Sequence, residues 1–217
     1  METPTKGQLL HYIDELISYN KGTEITQDLF TDLKILHEIE DYEECIQWIK
    51  QIFCISSTLK IGYEPNVNNP EFKLQENILR DFKKYRKYFD PDNFFEITDL
   101  CSEERREPAH VLVSDYWPIY GTSSFKNIEI EIFFKKWLFF APVEATIFVT
   151  SHEMAHILLY ALKHPLRENE FFTDVLAIII SGPKIMKEGR KVSRHTFGYL
   201  DDEQFNLVCN VVSRKLR

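Results

Sequence analysis

Two histidines four residues apart bracket a glutamate in His152-Glu153-Met154-Ala155-His156. On a helix, positions i and i+4 lie one above the other on the same face. Both imidazoles can therefore reach a single metal ion at about 2.0–2.1 Å, the distance that zinc takes to a histidine nitrogen. Glu153 follows the first histidine and points to the side of such an ion, where it can take a proton from an activated water without ligating the metal. The flanking residues are apolar: Ile147, Phe148 and Val149 before the motif, Ile157, Leu158 and Leu159 after it. Imidazoles in such a helix need polar partners, because an unpaired polar group is costly to bury. A metal is one such partner; hydrogen bonds within a core are the other.

A catalytic zinc usually has three protein ligands and an open fourth position. The next segment, Arg167-Glu168-Asn169-Glu170-Phe171-Phe172-Thr173-Asp174, offers three carboxylates. Glu170 and Asp174 share a helix face, while Glu168 points elsewhere if the helix has already begun. Asp174 lies one turn deeper, before the apolar run Val175 to Ile180, and there it can instead orient a ligating histidine by accepting its other N–H. Only residues 157–169 separate His156 from Glu170. Glu170 fits as the ligand if the first helix ends near Tyr160 or Ala161; a helix continuing to Lys163 would bring Asp174 level with His156. The residues alone leave both open, Glu170 as the third ligand or Asp174 as the alternative.

The motif His152-Glu-x-x-His156 with Glu170-x-x-x-Asp174 downstream resembles the gluzincin group of zinc metallopeptidases. The resemblance covers about residues 126 to 182. It extends to Gly198-Tyr199-Leu200, since small bacterial zincin-like proteins carry a similar Gly-Tyr-Leu after the second helix, and it leaves residues 1–56 without a counterpart. It implies Zn2+ bound by His152, His156 and Glu170, Glu153 as general base, and Asp174 in support of a histidine. It also implies that the strand Ile128 to Phe133 is the sheet edge beside the active-site helix, where the group holds an extended peptide by backbone pairing. Gluzincins often use a His or Tyr to stabilise the oxyanion, which makes His195 and Tyr199 candidate catalytic residues. The residues themselves leave open a surface place for His195, in the basic run Lys187 to Arg194, and core packing for Tyr199.

The rest of the chain must position these groups. Leu9, Leu10, Ile13, Leu16 and Ile17 form one apolar helical stripe, broken by Gly22. Thr26 reads as the cap of a second helix, and a third spans Asp41 to Ile52, its acidic start suiting the helix dipole. From Ser57 the pattern changes. Strands are expected at Thr58–Tyr63, Phe94–Ile97, Ala109–Val113 and Ile128–Phe133, the last alternating with Glu129 and Glu131 on one face. Helices are expected at Glu76–Tyr88, from Pro142 to Leu162, from Arg167 to Ile180, and within Thr196–Leu216 with Asp201 or Asp202 near the start. Pro165 stops the histidine-bearing helix, and His164 beside it reads as an exposed helix end; His110 has no supporting pattern. The expected fold is α+β: a zincin-like metallopeptidase core over residues 57–217, with a small mixed sheet, an active-site helix and a second ligand-bearing helix, preceded by a helical segment over residues 1–56.

With 217 residues and 44% hydrophobic side chains, the chain has ample material for a core. A net charge of -8 argues against a general affinity for nucleic acid. Local basic clusters, Lys83-Lys84-Tyr85-Arg86-Lys87 and Arg214, Lys215, Arg217, read as solvated faces or ends. Cys45, Cys54, Cys101 and Cys209 form no metal-binding or disulfide framework and read as free thiols in a reducing compartment. No secretory signal and no membrane-length apolar run is visible, so a cytoplasmic protein is expected. The expected function is a zinc metallopeptidase acting on a peptide or protein substrate. The alternative is a regulatory or interaction protein of the same fold, with a retained zinc site, narrow or no proteolysis, and a protein partner bound through the N-terminal helices.

Overall fold

Three capped helices open the chain. Thr5 starts α1 (Lys6–Leu16) with a reciprocal cap: its hydroxyl accepts the N–H of Gln8, and the Gln8 side chain accepts the N–H of Thr5. Thr26 and Asp41 each accept an N–H three residues on and so start α2 (Gln27–Glu38) and α3 (Tyr42–Ile52). The structure, a computed structural model, describes residues 2–20, 24–64, 108–135, 138–139, 141–192 and 195–216, with backbone only for Glu64, Val192 and His195. The helix expected at Glu76–Tyr88 and the strand expected at Phe94–Ile97 lie outside the described residues.

β1 (Thr58–Glu64), β2 (Ala109–Val111) and β3 (Glu129–Lys135) form one sheet in the order β1-β3-β2. β1 runs parallel to β3 and β2 antiparallel. A single helical turn, α4 (Ser123–Lys126), leads into β3. β3 alternates as expected: Ile130, Ile132 and Phe134 are buried, and Glu131 faces the other way, where it pairs with Lys60. It is nevertheless the middle strand. Among the described residues β2 stands at the edge alongside the long helix, where the sequence reading placed 128–133. Alternation determines which face of a strand is buried, and leaves its neighbours undetermined.

Pro142 precedes α5 (Val143–Ala161), in which only Glu144, His156 and Tyr160 escape burial. The helix stops at Ala161, and Lys163 takes a left-handed φ of 56° that reverses the chain. Asn169 caps α6 (Glu170–Ser181), its side chain accepting the N–H of Phe172, and every residue from Phe171 to Ser181 is buried. α6 thus begins three residues later than expected. Gly182 (φ 98°) ends it, and Pro183 starts a helix not foreseen in the sequence, α7 (Pro183–Arg190). α7 lies so close to α5 that a Cβ on Gly189 would meet the Glu144 carbonyl oxygen at 2.0 Å. A short hairpin, β4 (Lys191–Val192) and β5 (His195–Thr196), leads to α8 (Asp202–Lys215), capped by Asp201 and Gln204.

The N-terminal helices close over α5 and α6. Tyr12 meets Phe172 edge-on at 5.0 Å, the Ile25 N–H donates to the Ser181 carbonyl, and His37 lies 3.4 Å from the Thr146 hydroxyl. One apolar cluster runs from Leu9 to Val212. The architecture is α+β, helices around a small mixed sheet. Among the described residues no helix is long and apolar enough to cross a membrane.

Candidate metal centre

α5 presents His152 and His156 one turn apart toward the first turn of α6. Because α5 ends at Ala161, as the choice of Glu170 required, residues 162–169 suffice to bring Glu170 in as the first residue of α6. Glu170 Oε2 lies 3.1 Å from His152 Nε2 and 3.1 Å from His156 Nε2, and the two nitrogens are 3.1 Å apart. Four ligands at about 2.0–2.1 Å in a tetrahedron stand about 3.3 Å from one another, so this triangle has the size a metal ion needs. The three side chains are the one group among the described residues able to hold an ion. They remain partly open, at 11%, 14% and 23% exposure for His152, His156 and Glu170. Two imidazoles and a carboxylate suit zinc and its neighbours among the divalent transition metals alike.

Asp174 stands behind His152, outside the triangle. Its Oδ1 lies 2.8 Å from His152 Nδ1, so it accepts that N–H and leaves Nε2 for the metal side. Its Oδ2 accepts two backbone N–H groups, Tyr199 at 2.6 Å and Leu200 at 3.1 Å. The carboxylate is buried, at 1% exposure, with each oxygen satisfied. Gly198 makes the wrap possible. It adopts φ +83°, and a Cβ there would fall 2.9 Å from Asp174 Oδ2 and 3.0 Å from Phe148 Cζ. The alternative of Asp174 as ligand is set aside by this geometry: a residue one turn beyond Glu170 lies one turn too deep.

Burial disfavours an imidazolium at His152, but hydrogen bonds to Asp174 and Glu170 outweigh it and hold the metal-free pKa up to about 10. Burial likewise opposes the Glu170 carboxylate, and hydrogen bonds from His152 and His156 bring it down to about 2. The metal-free centre is therefore a trapped proton between bases, and a cation can take the proton's place. Glu153, 6% exposed, takes no part in the triangle. Burial raises its pKa, and the charges of His152 and His156 pull against that rise. A carboxylate so placed is a stronger base than one in water.

His152 and Glu153 open onto a cleft of about 160 Å³ walled by Ala109 of β2, Phe148, Phe197 and Tyr199. The Tyr199 ring lies over His152 at 5.7 Å, nearly parallel, and the side chain is half-exposed rather than packed in the core. The backbone of His195 lies in β5, and its side chain lies outside the described part. His164 is buried where an exposed helix end was expected. It accepts the Leu166 N–H, lies 2.9 Å from Glu15 of α1, and stacks on Phe172 at 4.6 Å. Asp115 adds an ion pair to Arg167 at 2.8 Å, so the turn delivering Glu170 is tied on two sides. Sequence reasoning missed both ties, whose partners lie far along the chain. It also missed Arg190, one of a basic run, which is buried at 4% exposure.

Comparison with known proteins adds nothing to this geometry: no family model, no curated protein and no solved structure matches the chain.

Proposed function

We propose that this chain is a zinc-dependent peptidase with a zincin-like core, its metal held by His152, His156 and Glu170. The observation that carries the reading is the triangle of three ligand atoms 3.1 Å apart, with no fourth ligand among the described residues and a buried, non-ligating glutamate beside it. A structural zinc usually takes four protein ligands, and a site that only holds an ion has no use for Glu153.

Bound zinc would supply the Lewis acidity that polarises a peptide carbonyl and acidifies a water. Glu153 takes the proton of the attacking water and passes it to the amine as the C–N bond breaks. Asp174 keeps the proton of His152 on Nδ1, so Nε2 presents its lone pair. Glu170 brings one negative charge to the ligand set. β2, alongside α5, is the strand on which an extended peptide would pair, and the Phe148 and Phe197 side of the cleft suits an apolar side chain.

Glu153→Gln tests the assignment. It is expected to keep its metal and fold while hydrolysis of quenched fluorescent peptides falls on the order of 10²–10⁴-fold. A variant that loses zinc or unfolds instead would give Glu153 a structural role.

A further inference from the structure

The loop 197–200 holds Asp174, and Arg190 holds the loop through both its backbone and its buried side chain. Arg190, the last residue of α7, grips it at both ends. Its backbone carbonyl accepts the N–H of Phe197 at 2.8 Å, and its guanidinium donates to the carbonyl oxygen of Leu200. The same guanidinium pairs with Asp202 Oδ1 at 3.0 Å and lies over the Phe205 ring at 4.3 Å. Between the two grips, Gly198 turns the chain with its positive φ, and Tyr199 and Leu200 aim consecutive N–H groups at one oxygen of Asp174. The other oxygen of that carboxylate fixes His152.

We infer that Arg190 is a positioning residue of the metal centre, acting through the 197–200 loop and Asp174 on the orientation of His152. The inference rests on the metal-binding reading above. Four hydrogen bonds connect the guanidinium to His152: Arg190 to the Leu200 carbonyl, the Leu200 and Tyr199 N–H groups to Asp174, and Asp174 to His152 Nδ1. The planar guanidinium is needed, because one group must lie over the Phe205 ring and donate in its own plane to the Leu200 carbonyl at once. If the fork is lost, the Leu200 carbonyl is left without its donor, the two N–H groups drift from Asp174, and the carboxylate no longer fixes the ring of His152. The Tyr199 ring over His152 moves with the same loop. A residue that merely stabilised α7 and α8 would leave the ligand set untouched.

The test uses the full chain. Zinc affinity is measured by competition with a chromophoric chelator, and ligand geometry by the visible absorption of the cobalt(II) form. Wild type, Arg190→Met, Arg190→Lys and Asp202→Asn are compared. Arg190→Met is expected to bind zinc about 10–100-fold more weakly and to change the cobalt spectrum, the size of effect seen when an outer partner of a ligating histidine is lost. Asp202→Asn removes the exposed ion pair, keeps the bond to Leu200, and is expected to match wild type within about twofold. Wild-type affinity and spectrum in a folded Arg190→Met would overturn the inference, as would an equal loss in Asp202→Asn. If Arg190→Met does not fold, Arg190→Lys decides, since it keeps charge and bulk and loses the fork: weakened binding supports the inference, unchanged binding overturns it. Failure of wild type to bind either metal would instead overturn the metal-binding reading itself, and this inference with it.

Discussion

Glu170 and Asp174 stand one turn apart on one face of α6, and their surroundings differ at each level. Glu170 sits in the first turn, partly open, among charged or chargeable partners, where His152 and His156 share one of its oxygens. Asp174 is sealed, with an imidazole on one oxygen and two neutral backbone donors on the other. The front of the site is thus held by exchangeable charge, and the back by fixed sterics and dipoles. A cation bound at the front would take the place of a proton there, whereas the partners of Asp174 lie behind the ligand atoms. Metal loading and pH should therefore act on the front, and mutations of the loop on the back.

The widest separation is expected between the two carboxylates themselves. Glu170→Gln removes an anionic ligand and should weaken zinc binding by more than about 100-fold, beyond the range of outer partners, whereas Asp174→Asn should weaken it by about 10–100-fold. Titrating both with zinc against a chelator checks the order; equal losses would erase the distinction between front and back.

The next effect is on pH. In the metal-free protein His152 is raised from its ordinary 6.5 to about 10, so its contribution to stability is complete below 6.5 and is lost as pH climbs toward 10. Glu170 is lowered from 4.5 to about 2, so its contribution is present above 4.5 and is lost as pH falls toward 2. This pair therefore favours the metal-free fold most between 4.5 and 6.5. Zinc needs the neutral imidazole, so the rise in Tm on adding zinc should be larger at about pH 8 than at about pH 6. Thermal unfolding with chelator and with zinc measures both trends, and a larger zinc increment at the lower pH would contradict the trapped-proton picture.

The smallest effect on metal binding is expected from Tyr199→Phe. The ring over His152 and the backbone N–H to Asp174 both survive, so zinc affinity should stay within about twofold. Peptide hydrolysis by the same variant separates the hydroxyl's part in turnover from the ring's part in the site. A tenfold loss of affinity would place the hydroxyl in the metal centre.

The front of the site was legible in the sequence because its rules are local. The i, i+4 spacing places His152 and His156, and Glu170 follows once α5 ends at Ala161, where Pro165 gave the stop signal and Lys163 makes the turn. The alternation of β3 and the cap Thr26 were legible for the same reason, while the choice of Asp201 over Asp202 as the cap of α8 was left open. The back and the supports were not. Arg190 looks like its basic neighbours until Leu200, Asp202 and Phe205 fold around it, and His164 looks exposed until Glu15, 149 residues away, reaches it. The place of β3 in the middle of the sheet depends on β1 and β2, which its own pattern does not encode.

Whether His152, His156 and Glu170 make a metal centre is tested by elemental analysis of purified wild type and His156→Ala. About one zinc per chain is expected in wild type, retained through dialysis, and lost in the variant with the fold intact. Wild type that holds no zinc after incubation with it, or a variant that holds as much, would contradict the claim and leave the two histidines as core residues satisfied by Asp174 and Glu170.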